Sequence, residues 1–145
     1  MINEESKNVI KFFESCSLIA YQCPAKIWTI GWGATKYANN KKVKAGDKIT
    51  QKQADKLFDD LLAEFEKGVT KLVKVKLTDN QLGALVSFGY NCGLANLESS
   101  TLLKKVNASD FDGAAQEFGK WTKAAGKVLN GLVVRRKREA ELFKK

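Results

Sequence analysis

The sequence predicts an α+β fold: a small antiparallel sheet lobe near the N-terminus, a mostly helical C-terminal lobe, and a long helix joining the two. Two observations carry this reading. Between Leu18 and Thr35 the β-formers Tyr21, Ile27, Trp28, Thr29, Ile30 and Trp32 cluster, punctuated by Pro24, Gly31 and Gly33, which is the pattern of short strands in a hairpin sheet. Beyond Thr50 the apolar residues recur at helical spacing almost to the C-terminus. A sheet confined to one end of the chain gives α+β rather than alternating α/β. The 145 residues suit one domain, 1–145, with two lobes and a cleft between them where ligands sit.

Taken in order, residues 4 to 15 form a first helix whose apolar face holds Val9, Ile10 and Phe13, with Phe12 beside them. Two or three short strands follow. Thr50, with Gln53 three residues on, starts a long helix through a capping box. Its stripe is Ala54, Leu57, Phe58, Leu61, Leu62, Phe65, Val69 and Leu72, held for about five turns. Thr78 and Gln81 repeat the start signal ahead of Leu82, Leu85 and Val86. Shorter helices begin near Ser99 or Ser100 and near Ser109 or Asp110. A last helix places Leu129, Leu132, Val133, Ala140 and Phe143 on one face.

Composition excludes several chemistries. There is no histidine, hence no Ser-His-Asp triad, no Cys-His pair and no histidine-bearing zinc site. Three cysteines, Cys16, Cys23 and Cys92, are an odd number and cannot by themselves make a disulfide framework. Cys16 and Cys92 read as core or half-buried thiols. A bridge between Cys16 and Cys23 in an oxidising space would need a Cα separation that sequence does not supply. The first eleven residues are polar and charged, and no apolar run approaches the ~18 residues of a membrane span. The expectation is a soluble protein folded in a reducing cytoplasm.

The formal charge of +9 favours polyanionic surroundings: nucleic acid, acidic lipid or a charged wall polymer. Lysine supplies nearly all of it, the only arginines being Arg135, Arg136 and Arg138. Base-reading proteins rely on the bidentate guanidinium fork, so nucleic acid is not the expected partner. The bland alternative is a solubilising lysine surface.

One carboxylate stands out. Glu14 ends the first helix beside Phe12 and Phe13, and no Asp or Glu follows until after Gly46, whereas Lys26, Lys36, Lys41, Lys42 and Lys44 all fall in that interval. An isolated carboxyl beside aromatics is a candidate for a raised pKa, as a general acid requires. Taken alone, a solvated charge is the ordinary alternative.

Phe12-Phe13-Glu14, Leu18-Ile19-Ala20-Tyr21 and Trp28-Thr29-Ile30-Gly31-Trp32-Gly33 together resemble the N-terminal signature of tailed-phage lysozymes, the endolysins of glycoside hydrolase family 24. The run from Leu82 to Gly93 is similar to that family's buried-helix segment. Ser100-Thr101-Leu102-Leu103 and Gly131-Leu132-Val133-Val134-Arg135-Arg136, with Glu139 and Leu142, are similar to its C-terminal half. The resemblance runs from about Glu5 to Phe143, in order.

The resemblance implies a lysozyme-like fold and a single catalytic domain. It also implies hydrolysis of the β-1,4 bond between N-acetylmuramic acid and N-acetylglucosamine in peptidoglycan, with inversion at the anomeric carbon and without cofactor or metal. Its catalytic set is a Glu, a residue nine positions on that is usually Asp, and a Thr six beyond. These fall on Glu14, Cys23 and Thr29. Glu14 would protonate the leaving oxygen, while Cys23 and Thr29 position and activate a water on the opposite sugar face. Cys23 departs from the pattern. A thiolate there would serve as base or electrostatic partner, or attack the sugar itself and give retention; a small buried thiol in a weak site is the contrary reading.

Arg135 falls where the resemblance expects a basic partner for the catalytic Glu, through a bidentate contact that would fix its orientation. A solvated basic face from Arg135 to Arg138 is the equal alternative. Tyr90 is a candidate for the sugar cleft or for the core. The basic, partly apolar last helix suggests contact with anionic lipid or lipopolysaccharide of the outer envelope. The resemblance further implies a monomer that accumulates in the host cytoplasm and reaches the wall through a separate phage pore. A peptidoglycan-binding relic without turnover is the rival function.

Overall fold

The computed structural model describes residues 2–145. Helix α1 (Glu4–Glu14) is capped by Asn3, whose side chain accepts from the Ser6 amide at 3.0 Å. Strands β1 (Ser17–Gln22) and β2 (Trp28–Gly31) pair antiparallel with Tyr21 opposite Thr29 and Gln22 opposite Trp28. Helix α2 (Gln51–Leu72) carries the expected Thr50/Gln53 capping box, and α3 (Asp79–Cys92) the matching Thr78/Gln81 box. Helices α4 (Leu94–Ser99), α5 (Thr101–Asn107) and α6 (Phe111–Glu117) follow, then a 3-10 turn over Phe118–Lys120. A two-stranded hairpin, β3 (Lys123–Ala124) and β4 (Lys127–Val128), precedes the final helix α7 (Asn130–Lys144). Among the described residues no helix is long and apolar enough to cross a membrane.

Two apolar cores make the two lobes, and α2 serves both. Leu57 and Leu61 close over Ile30, Ala34 and Val43 under the sheet. Phe58, Leu62 and Val69 turn into the helical core with Ile10, Leu85, Phe88, Leu102, Phe118 and Phe143. A 22-residue helix is about 33 Å long, enough to span both. Helix α3 is buried continuously from Gly83 to Gly89, as expected of a helix apolar on every side at the centre of a bundle. Gly83 permits α1 to approach it: a Cβ there would lie 1.7 Å from Ser6 Oγ.

Three expectations need correction. Phe12 is 76% exposed; at about 100° per residue it points roughly a right angle away from the Val9/Ile10/Phe13 face. In α7 the predicted apolar face is only part of the buried one: Phe143 is buried and Ala140 packs against the core, with Leu129 and Leu132 half-buried. Val133 is exposed, and the buried residues are Arg135, Arg136, Glu139, Leu142 and Phe143. Their spacing (i, i+1, i+4, i+7, i+8) is helical, but three are charged, so a hydrophobicity pattern passes over them. The β3–β4 hairpin was not expected. Its strands are two residues each, and its turn is set by positive φ at Ala125 (53°) and Gly126 (79°), as a tight hairpin turn requires.

Candidate active site

The lobes leave a cleft of about 710 Å³ between them. One wall is the β1–β2 hairpin. Alternation puts Tyr21 and Cys23 on the same face of the sheet, and antiparallel pairing sets Thr29 across from Tyr21. The Cys23 amide donates to the Ile27 carbonyl at 3.0 Å, which extends the pairing into the turn. Tyr21, Cys23, Ile27 and Thr29 therefore line the cleft together. The six-residue interval from Cys23 to Thr29 is the length of chain this turn takes to return to the same face. Thr29 is buried and its hydroxyl donates to the Ile27 carbonyl at 3.0 Å, which leaves its oxygen lone pairs as acceptors.

Glu14 lies in the same cleft at the C-terminal end of α1, where the helix stops at Ser15 in a left-handed conformation (φ 59°). Its side chain is 15% exposed. Gly33 backs it closely: a Cβ on Gly33 would come within 2.2 Å of Glu14 Oε1, and its φ of +84° also favours glycine. Burial raises the Glu14 pKa above its ordinary value; Arg135 opposes this, Glu139 adds to it and Arg136 opposes it. The negative end of the α1 dipole acts in the same direction as burial.

Arg135 is buried against Glu14 and, with it, lines a smaller pocket of about 280 Å³ that adjoins the cleft. Its Nη1 donates to Glu14 Oε2 at 2.6 Å, its Nε to Glu139 Oε2 at 3.2 Å and its Nη2 to the Ser87 carbonyl at 3.2 Å. The contact with Glu14 is thus one-pronged, not the bidentate fork expected from sequence, because the other nitrogens are engaged. The solvated basic face is likewise reduced: Arg135 and Arg136 are buried, while Lys137 and Arg138 are exposed. Tyr90 answers to both readings. It lines the cleft, packs on Phe58 and Phe65, and donates from its hydroxyl to the Trp32 carbonyl at 2.7 Å, across the lobe junction. Cys16, Cys23 and Cys92 are all free and half-buried.

The structure brings Glu14, Cys23, Thr29 and Tyr90 to one cleft and sets Arg135 against Glu14. Sequence reasoning passed over Gly33 as a wall for Glu14, Tyr21 as a lining residue, and Ser87 and Glu139 as partners of Arg135. It also passed over Trp121 and the β3 residues Lys123 and Ala124, which line the cleft at the unexpected hairpin. A signal for Glu139 existed: it follows Arg136 by three and Arg135 by four residues on a predicted helix, the spacing at which charges meet.

A sheet lobe and a helical lobe spanned by one helix, with a buried carboxyl at their junction, define a lysozyme-like protein. Residues 11–139 match the phage lysozyme family, and the chain belongs to it. Over 144 residues it is 46% identical to an endolysin of Bacillus phage B103, covering 98% of this chain and 53% of that protein. It is 42% identical to an endolysin of Acyrthosiphon pisum secondary endosymbiont phage 1, covering 98% and 97%. The chain thus spans about half the length of the first relative and nearly all of the second. Among solved structures, an endolysin from Escherichia coli O157:H7 phage FAHEc1 superposes with a TM-score of 0.87 at 37% identity, covering 99% of this chain and 92% of that one.

Proposed function

We propose that this chain is a phage endolysin: a lysozyme, or muramidase, that hydrolyses the β-1,4 bonds between N-acetylmuramic acid and N-acetylglucosamine in peptidoglycan and so lyses the host cell. The observation that carries this reading is Glu14, a buried carboxyl with a raised pKa that opens into a cleft of about 710 Å³. A protonated carboxyl in that place donates its proton to the leaving glycosidic oxygen as the C–O bond breaks.

In this mechanism the attacking water takes its place between Cys23 and Thr29, which line the cleft with Glu14. Thr29 directs its own proton to Ile27 and accepts one from the water. Cys23 stands where an anionic partner of the attacking water belongs, and attack by this water inverts the anomeric carbon. Direct attack by a Cys23 thiolate would instead form a thioglycoside and give net retention after hydrolysis. The first anomer released, read by proton NMR, separates the two routes. No observation favours a binding relic that has lost turnover.

The whole chain, 1–145, acts in this reading as one catalytic domain and as a monomer, made in the host cytoplasm and released to the wall through a separate pore. On the exposed side of α7, Lys137 and Arg138 stand beside the exposed Val133 and Val134, a basic and apolar surface suited to anionic envelope lipid. Turbidity of a peptidoglycan suspension should fall with the wild type and not with Glu14→Gln. Equal lysis by both would overturn the assignment of Glu14.

A further inference from the structure

A guanidinium at 2.6 Å from a general acid poses a difficulty. Unshared, it would hold the carboxyl ionised and leave no proton to give. The structure resolves this behind Arg135, in a cluster no step of the reaction touches. Glu139 is fully buried, with no exposed surface. A carboxylate in such a place persists only when paired. Its Oε2 accepts from Arg135 Nε at 3.2 Å, from Arg136 Nη2 at 3.1 Å and from the Ser87 hydroxyl of α3. Its Oε1 lies 2.7 Å from Arg136 Nε, close enough for an ion pair though not aligned for a hydrogen bond. Arg136 is held in turn by Asn91 Oδ1 at 2.9 Å and by the Cys92 thiol.

We propose that Glu139 is a positioning residue for Glu14, acting through Arg135: it occupies the guanidinium so that Glu14 receives one hydrogen bond and a half-compensated charge, and keeps its proton for the leaving oxygen. This rests on the reading of Glu14 as the general acid. Charge counting gives its sense. Arg135 and Arg136 bring two positive charges near Glu14, and Glu139 cancels one. The remaining groups that face Glu14 are Tyr21 from β1 and Tyr90 from α3, both neutral with pKa values raised first by burial, and Cys92 beside Arg136, raised for the same reason. Cys23 and Lys36 share the cleft. Glu139 is the carboxylate that meets the two arginines. Without Glu139 the uncompensated arginines would hold Glu14 ionised, and Arg135 would be free to turn two prongs towards it.

The test is Glu139→Gln in the full chain, with the fold checked by circular dichroism. The Glu14 carboxyl is titrated by carbon-13 NMR, and kcat/KM is measured against pH on soluble peptidoglycan fragments. The Glu14 midpoint and the alkaline limb of the profile should both move down by about one pH unit. Glu139→Asp, which keeps the charge, should return the midpoint towards the wild-type value. If Glu139→Gln does not fold, Arg136→Gln tests the same balance with the opposite sign and should move midpoint and limb upward. An unmoved midpoint in a folded variant overturns the proposal while leaving Glu14 as the acid. A moved midpoint with an unmoved alkaline limb overturns it too, and turns against the reading of Glu14, which Glu14→Gln tests separately.

Discussion

Gly33 stands against Glu14 so closely that a Cβ on the glycine would lie 2.2 Å from the carboxyl Oε1. Gly33→Ala should therefore displace Glu14 from its contact with Arg135 and lower the lysis rate by at least about tenfold, since small misplacements of a reacting group cost heavily. Its φ of +84° adds backbone strain of about 1 kcal/mol. Initial rates of turbidity loss and the thermal midpoint measure the two effects separately.

Burial lifts the Glu14 pKa above its ordinary 4.5, so the fold prefers the protonated side chain. Its contribution to stability is fully present below that ordinary value and is lost as pH rises through the raised one. Glu14→Gln imitates the protonated form. It should melt a few degrees above the wild type at pH 7, with the gap closing below about pH 4. The same substitution should lower activity by about 10²- to 10⁴-fold, the range for loss of a general acid. Calorimetry over pH 3–8 checks the first expectation, and a wild type as stable as the variant at pH 7 would contradict it.

Cys23 lines the cleft together with Glu14. Cys23→Ser should lose most of the activity, and Cys23→Asp should keep a substantial part, because a carboxylate can activate the same water. If Cys23→Ala lyses cells as well as the wild type, the sulfur is a bystander.

Gly83 sets the approach of α1 to α3, where a Cβ would fall 1.7 Å from Ser6 Oγ. Alanine would gain about 1 kcal/mol of helix propensity but overpack a buried contact at about 1–3 kcal/mol. The clash wins, and Gly83→Ala should lower the melting temperature by several degrees. A shift of α1 would also carry Glu14 with it, so activity should fall in parallel.

Much of this architecture was legible in the residues because it rests on local rules. The Thr50/Gln53 and Thr78/Gln81 boxes, the stripe of α2 and the β-formers around Pro24 each report the conformation of their own segment. The placement of Cys23 and Thr29 on one wall also follows from a hairpin that a short stretch of chain specifies. Where prediction failed, local signals pointed elsewhere. Phe12 is apolar but off the face, and three of the five buried residues of α7 are charged.

The sequence by itself determined α1, α2, α3, the last helices and the β1–β2 hairpin, though not α4 or the second hairpin, and its family resemblance pointed to Glu14, Cys23 and Thr29. Only the tertiary structure decided how Glu14 is held. Its partner Arg135 is 121 positions away, and Ser87 comes to Arg135 from a third helix. Periodicity and capping act over a few residues, whereas a buried charge cluster forms only when distant helices close around it and exclude water. That exclusion makes Arg135, Arg136 and Glu139 depend on one another, and through them it sets the state of Glu14.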